Sequence, residues 1–415
     1  MQRRYTRAVL LWSVVAGLLV PAYFLAMADV SRFAWDFRAY YLAAEAVLQG
    51  EPFVGISPGL PGVRYVYPPN SVVLFLPQAA TGSWQMAFVV QTVVNVLAAL
   101  GVATLVIRTI ESRRGSLPIL DRLLIVGFTL GSAPVIAIIG QGQIDTLLAL
   151  AFGGAFLAIE WNRQKIAGVA LASAALVKVF PVVLGLWLVW RRAWRALATA
   201  VVTGITGLVL GGLWFGLDAY RQYLVVLSSR SRIAEFAGTV SPNFFAMSLY
   251  RPLSQLLPGV DPSLYAPLSL LILAPVVGLV AHRERTITDR LTTYLVAITA
   301  MVVVSPASNV LYVVYVYFPL LSLLYLGPTD RSRSLLLVGT AAIAFPIQPR
   351  HVATFFEIVD VPALASGPLL YVLRTALAVA SVPLIGFGAI LVGCVVHASR
   401  KRREHAVDSL LVQGD

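Results

Sequence analysis

Hydrophobic runs of spanning length recur along the chain, separated by short polar stretches. The first, Ala8–Met27, has roughly the 20 residues a helix needs to cross a bilayer. Further runs cover Trp84–Ile107, Leu123–Ile139, Ile144–Ile159, Leu197–Leu217, Leu264–Val280, Leu291–Val304, Val310–Leu326, Leu335–Ile347 and Leu369–Val396. Residues 166–190 break the rhythm. Ile166–Val177 is apolar, Lys178-Val179-Phe180-Pro181 interrupts, and Val182–Trp190 is apolar again. Twelve helical residues rise only about 18 Å, against a hydrocarbon core of about 30 Å. Basic residues flank both sides: Arg163 and Lys165 before, Arg191, Arg192 and Arg195 after. Basic flanks favour the cytoplasmic side. The pattern therefore predicts a short helical hairpin with Lys178 and Pro181 at its tip. With it, the count is about twelve transmembrane helices in one integral membrane domain, residues 1–415, of an all-α polytopic membrane protein.

The polar intervals fall into an order. An outside loop spans 28–70, and the apolar segment 71–80 is expected at the membrane surface. A second outside loop covers 218–262, a third 348–368, and a cytoplasmic tail 397–415. Inside the first loop, Phe37, Tyr41, Ala44 and Leu48 recur on one helical face. Gly50 and Pro52 supply the stop. The segment 37–49 is expected as an amphipathic helix lying in the interface beside Trp35.

Charge orients this arrangement. Of the 31 Lys and Arg, 21 fall in inside segments, Arg283, Arg285 and the 400–403 cluster among them, nine fall outside, and Lys178 sits in the hairpin. Both termini are then cytoplasmic. The net charge of +12 does not point to nucleic acid, because the basic residues lie in short clusters between apolar spans. Only 12% of residues are charged and 59% are hydrophobic, with mean hydropathy +0.83; soluble domains carry about 25% charged residues. Cys394 stands alone, so there is no disulfide framework. Four His and one Cys without ligand spacing argue against a structural metal, and phosphate-loop, zinc-protease and dinucleotide fingerprints are absent. No cofactor is expected.

Candidate chemistry concentrates outside. Asp36 opens the expected interfacial helix, with Tyr40 one turn on. Asp favours the N-cap position; a carboxylate at the membrane surface also suits a general base, and the local sequence leaves both open. Arg38, Arg64 and Arg251 lie near outside membrane edges, where Arg binds phosphate through paired donors or anchors to headgroups. Lys178 is a charge within an apolar stretch, costly and functional by default. Gln141, Gln143 and Asp145 cluster at an outside turn, where they could bind a sugar or satisfy the turn. Tyr65, Tyr67, Pro68 and Pro69 form a rigid aromatic edge suited to a sugar or isoprenoid chain, and equally to an interfacial belt. A transporter or flippase of a lipid-linked sugar is the competing class, and a non-catalytic scaffold a third; no internal repeat supports transport.

The ordered set Asp36-x-x-x-Tyr40-Tyr41-x-Ala43-Ala44, Gly50-x-Pro52-Phe53, Tyr65-x-Tyr67-Pro68-Pro69, Gly140-Gln141-Gly142-Gln143, Ala167-Gly168-Val169, Lys178-Val179-Phe180-Pro181 and Ser305-Pro306 resembles glycosyltransferase family 87. The likeness covers about residues 8–330. It implies a GT-C type, inverting hexosyltransferase of the plasma membrane with its active site on the outer face. The implied donor is a polyprenyl-phosphate sugar, usually mannose, and the acceptor a glycolipid or lipid-linked glycan among membrane lipids. An Asp of the first outside loop is the general base in such enzymes, and Asp36 matches it. The leaving lipid phosphate calls for cations, for which Arg38, Arg64, Lys178 and Arg251 are candidates; Tyr40, Tyr67, Gln141 and Gln143 are candidate substrate contacts. Family members often carry His and Trp after the Ser-Pro; Asn309 and Tyr312 stand in that region here.

Overall fold

The computed structural model describes residues 2–26, 33–60, 62–229, 232–238, 240–244, 246–281, 286–327 and 330–412. Arg283 and Arg285, expected at the inner surface, lie outside the described residues. Those described form helices and connecting turns, with no strand among them.

Helix α1 (Gln2–Ala26) is the first span. After it come α2 (Trp35–Gln49), a 3-10 turn at Pro69–Phe75 and the short α3 (Leu76–Ala79). The expected surface segment 71–80 is thus two short helices. The 31-residue α4 (Trp84–Arg114) follows, longer than a bilayer core requires. The run 123–139 is a bent pair, α5 (Ile119–Gly131) and α6 (Ala133–Gln141), meeting at 43°. Pro134, in the first turn of α6, has no N–H to continue the ladder, which explains the break. Next are α7 (Asp145–Glu160), α8 (Gln164–Val177), α9 (Leu184–Trp190) and α10 (Trp194–Phe215). Residues 166–190 are accordingly two short helices broken at Lys178. Gly168 lets α8 close on α10: a Cβ there would lie 2.3 Å from the Ala196 carbonyl oxygen.

The segment 218–262, expected as a second outside loop, is not plain loop. It carries α11 (Leu217–Ser229), a 3-10 turn at Arg232–Phe236 and α12 (Tyr250–Leu256). Helices α13 (Tyr265–Ala281) and α14 (Ile287–Val304) come next, then a 3-10 turn (Val310–Val316) leading into α15 (Tyr317–Leu326). The chain ends with α16 (Asp330–Ile343), α17 (Pro349–Ile358), α18 (Ala363–Val379) and α19 (Val382–Val412). Two expectations change here. The segment 348–368, expected as a third outside loop, contains α17, and the run 369–396, expected as one span, is two helices broken at Ala380–Ser381. Pro383 falls in the first turn of α19, where its missing N–H costs no ladder bond.

Every residue of α15 is buried, so this short helix is the centre of the bundle. By contrast α10 buries only Ala196 and Gly211, and exposes Leu213 and Trp214. An apolar face of that extent belongs against lipid. Six described helices are long and apolar enough to cross a membrane, or seven if the bent α5–α6 pair is one span; four shorter apolar helices accompany them. The protein is a helical multi-pass membrane protein.

Several charged and polar side chains within the bundle meet in pairs. Arg7 makes two 2.9 Å bonds to Asp121, Arg290 reaches Glu160 at 2.6 Å, and His397 lies 3.1 Å from Asp289. Each pair joins helices distant in sequence.

Candidate functional site

The site is built around the turn that ends α6. Gly142 takes the left-handed conformation, φ +69, and closes the helix with its N–H on the Ile138 and Ile139 carbonyls. A Cβ there would meet the Phe37 Cβ at 2.5 Å, so only glycine allows α2 to sit this close. Gln143 follows, with its N–H on Ile138 O at 3.0 Å. Its carbonyl accepts from Gln91 at 3.1 Å and Asn95 at 2.7 Å, both on α4. The backbone is thereby fixed and the side chain aimed.

That side chain joins two segments. Gln143 Nε2 donates to Asp36 Oδ2 at 2.6 Å, and Gln143 Oε1 accepts from the Tyr67 hydroxyl at 2.7 Å. The Tyr40 hydroxyl donates to Tyr67 at 3.0 Å. Every donor in the series Tyr40, Tyr67, Gln143 points toward the Asp36 carboxylate. Burial, the largest influence, pushes the Tyr40 and Tyr67 hydroxyls well above their ordinary pKa, so both stay protonated donors.

Helix α2 carries Asp36 because its inner face is thoroughly packed. Phe37, Tyr40, Tyr41, Ala43 and Ala44 are buried, while Leu48 is exposed. The helix is therefore seated in the protein over a wider face than the four-residue stripe implied. Its start also differs from the capping alternative. Ala34 occupies the N-cap, without a side-chain cap bond, and its N–H is held by Gly140 O at 2.8 Å. Asp36 stands two residues further in, within the first turn, where the helix end favours negative charge.

Beside this series lies a buried ion pair. Lys178 Nζ bonds Asp145 Oδ1 at 2.6 Å, with 5% and 0% of the side chains exposed. Tyr315 donates its hydroxyl to the same oxygen. The ammonium lies 5.3 Å from the Tyr67 ring centre and 4.9 Å from that of Tyr312. Tyr67 thus connects the cation to the Asp36 series. Cation–π contact of this kind is worth about 0.5–2 kcal/mol.

Asp36, Tyr40, Tyr67, Gln143 and Lys178 therefore come together. Others of the candidates do not. Arg38, two positions from Asp36, is turned away from it around the helix and places its guanidinium 4.4 Å over the Trp84 ring. Arg38 and Arg64 have no carboxylate partner among the described residues; Arg64 is exposed. Gln141 is half-buried at the end of α6. Arg251 is a correction: it is fully buried, and its guanidinium donates to the carbonyls of Ser241, Pro242, Phe244, Leu377 and Ala378. Backbone oxygens occupy it, so it ties the 241–244 segment to the end of α18 instead of facing a phosphate. Asn309 caps the following 3-10 turn, accepting from Leu311 N–H at 3.0 Å.

Sequence reasoning missed the roles of Asp145, Tyr312 and Tyr315, and of Gln91 and Asn95. A signal existed for some. Asp145 and Lys178 are opposite charges in apolar surroundings, which tend to pair. Gln91 and Asn95 are polar residues one turn apart within an apolar span. Nothing local marks the tyrosines.

The family model described as Glycosyltransferase family 87 matches residues 65–306, which takes in Tyr67, Gln143, Asp145 and Lys178 and begins after Asp36. Among curated proteins, the polyprenol-phosphate-mannose-dependent alpha-(1-2)-phosphatidylinositol pentamannoside mannosyltransferase of Mycolicibacterium smegmatis is 25% identical over 345 residues, 78% of this chain and 80% of that protein. A match over more than half of the 415 residues, on a multi-pass helical bundle, settles the class of enzyme: the chain belongs to glycosyltransferase family 87.

Proposed function

We propose that this glycosyltransferase moves mannose from a polyprenyl-phosphate carrier to a hydroxyl of a lipid- or glycan-linked acceptor, with inversion at the sugar C1. The mycobacterial relative's named dependence on polyprenol-phosphate-mannose supports the donor. Asp36 is the general base. The observation that carries this role is its carboxylate held at the end of the Tyr40–Tyr67–Gln143 donor series. The acceptor hydroxyl gives its proton to Asp36 as its oxygen bonds to C1. The bond from C1 to the phosphate oxygen breaks, and polyprenyl phosphate leaves with the electron pair.

The departing phosphate needs positive charge. Lys178, linked to the base through Tyr67, supplies it. Gln143 serves as a positioning residue for Asp36. Tyr40 and Tyr67 border the sugar. In this reading the chain is a single GT-C type domain of about twelve transmembrane helices, with residues 166–190 a hairpin, both termini cytoplasmic and the active site on the outer face of the plasma membrane.

Asp36→Asn is the direct test. The variant should fold and bind donor, while transfer from purified polyprenyl-phosphate mannose falls by about 10²–10⁴-fold. Full transfer by that variant would sink the mechanism. Lipid movement in proteoliposomes without sugar transfer would replace it by a flippase.

A further inference from the structure

A second polar feature lies at the other end of α4. Arg3, Arg114 and Arg333 line a cavity of about 80 Å³, together with Tyr325. Asn95 of α4 touches the Asp36 cluster through Gln143, and Arg114 lies about 30 Å further along the same helix. That is the thickness of a hydrocarbon core. The cavity therefore belongs to the opposite membrane face.

The acids near it are largely engaged by other partners. Asp121 takes both arms of Arg7 and the Tyr325 hydroxyl. Glu111 takes Arg122 and the Leu117 N–H. Arg3 and Arg114 have no carboxylate within salt-bridge distance among the described residues. Arg114 donates to Leu326 O at 3.1 Å, and Arg333 to Leu324 O and to the Thr6 hydroxyl. These bonds aim the guanidinia and cap the end of α15. A helix end contributes roughly half a negative charge, well short of the two guanidinia of Arg3 and Arg114. The volume is several times the roughly 10–15 Å³ that one water needs, and suits a tetrahedral oxyanion.

We propose that this cavity binds a phosphate group at the membrane face opposite the Asp36 site, with Arg3 and Arg114 as its principal donors. The phosphate is the diester of an anionic phospholipid headgroup or a soluble phosphate. Guanidinium forks match phosphate oxygens, and basic pockets between helices at this face select anionic headgroups. A bound phosphate would join the start of α1 to the ends of α4 and α15.

The test is native mass spectrometry of the full chain in detergent, titrated with phosphatidylglycerol or phosphatidylcholine. The wild type should retain phosphatidylglycerol in preference to phosphatidylcholine. Each basic residue contributes roughly fivefold, so Arg3→Gln/Arg114→Gln should lose roughly thirtyfold in affinity, and Arg3→Lys/Arg114→Lys should recover most of it. Arg3→Gln alone, at an exposed residue, should lose roughly fivefold, a readout that survives if the double variant folds poorly. Displacement of the lipid by millimolar inorganic phosphate identifies a soluble ligand; its failure to displace identifies the headgroup. Equal retention of the two lipids by the wild type, or undiminished phosphatidylglycerol binding by the Gln variants, overturns the proposal.

Discussion

Lys178 is a buried counter-ion and, in the proposed mechanism, the charge facing the leaving phosphate, and one pair of substitutions separates the two roles. Its ion pair with Asp145 is almost wholly buried, so removing one partner leaves a charge without its counter-ion. Such a change costs about 3–5 kcal/mol. Lys178→Met should fall in that range: Asp145 keeps only the Tyr315 hydroxyl on the shared oxygen, and its Oδ2 has no hydrogen-bond partner among the described residues. Asp145→Asn should cost somewhat less, because the Tyr67 and Tyr312 rings remain around the ammonium and return about 0.5–2 kcal/mol. The combined Lys178→Met/Asp145→Asn variant removes both charges at nearly constant volume and should lie within about 1 kcal/mol of wild type, since neutral replacement of a buried pair is often harmless. Thermal unfolding in detergent reads the stabilities. Transfer from polyprenyl-phosphate mannose reads the chemistry, and here the double variant should stay about 10²–10³-fold down, the usual cost of losing one electrostatic donor to a developing oxyanion. A double variant that regains activity along with stability would show that Lys178 is only a structural counter-ion. One destabilised by the sum of the two single variants would show that the pair is not coupled.

Gly142→Ala should lose about 1–2 kcal/mol for the left-handed backbone and about 1–3 kcal/mol for the collision with Phe37, and transfer should fall as Gln143 is carried away from Asp36. Gly140→Ala, two residues earlier with open space for a Cβ, is the control and should leave melting and transfer unchanged. At His351, in α17, burial first and the Arg350 charge second pull the imidazole pKa down to about 4. Its ring nitrogen accepts from the Gln348 N–H, which a protonated ring cannot do. The folded value lies below the unfolded one of about 6.5, so this stability is present above about pH 6.5 and is lost as pH falls through about 4. His351→Asn should therefore show a shallower decline in melting temperature across that window than wild type; equal slopes would refute the assignment.

By itself, the sequence determined the class of molecule. Runs of about 20 apolar residues have only one economical solution, a helix that satisfies its own backbone in lipid, and that is legible without tertiary contacts. The interruption at Lys178 and the helix after Asp36 were legible too, because a charge in an apolar run and a Gly-x-Pro stop act locally. Breaks set by proline were less so: the 369–396 run is hydrophobic throughout, and its division at Ala380–Ser381 follows from where Pro383 falls relative to a helix start. The candidate residues could be chosen by chemistry but not sorted. Arg251 reads like Arg38 and Arg64 in the chain, and only packing surrounded it with five carbonyls. Likewise only the fold joined residues 36, 67 and 143 into one hydrogen-bonded series, and residues 145, 178 and 315 into one buried cluster. Hydrophobic periodicity is a property of neighbours in sequence. Partnership among polar side chains is decided by which helices meet, and at what depth.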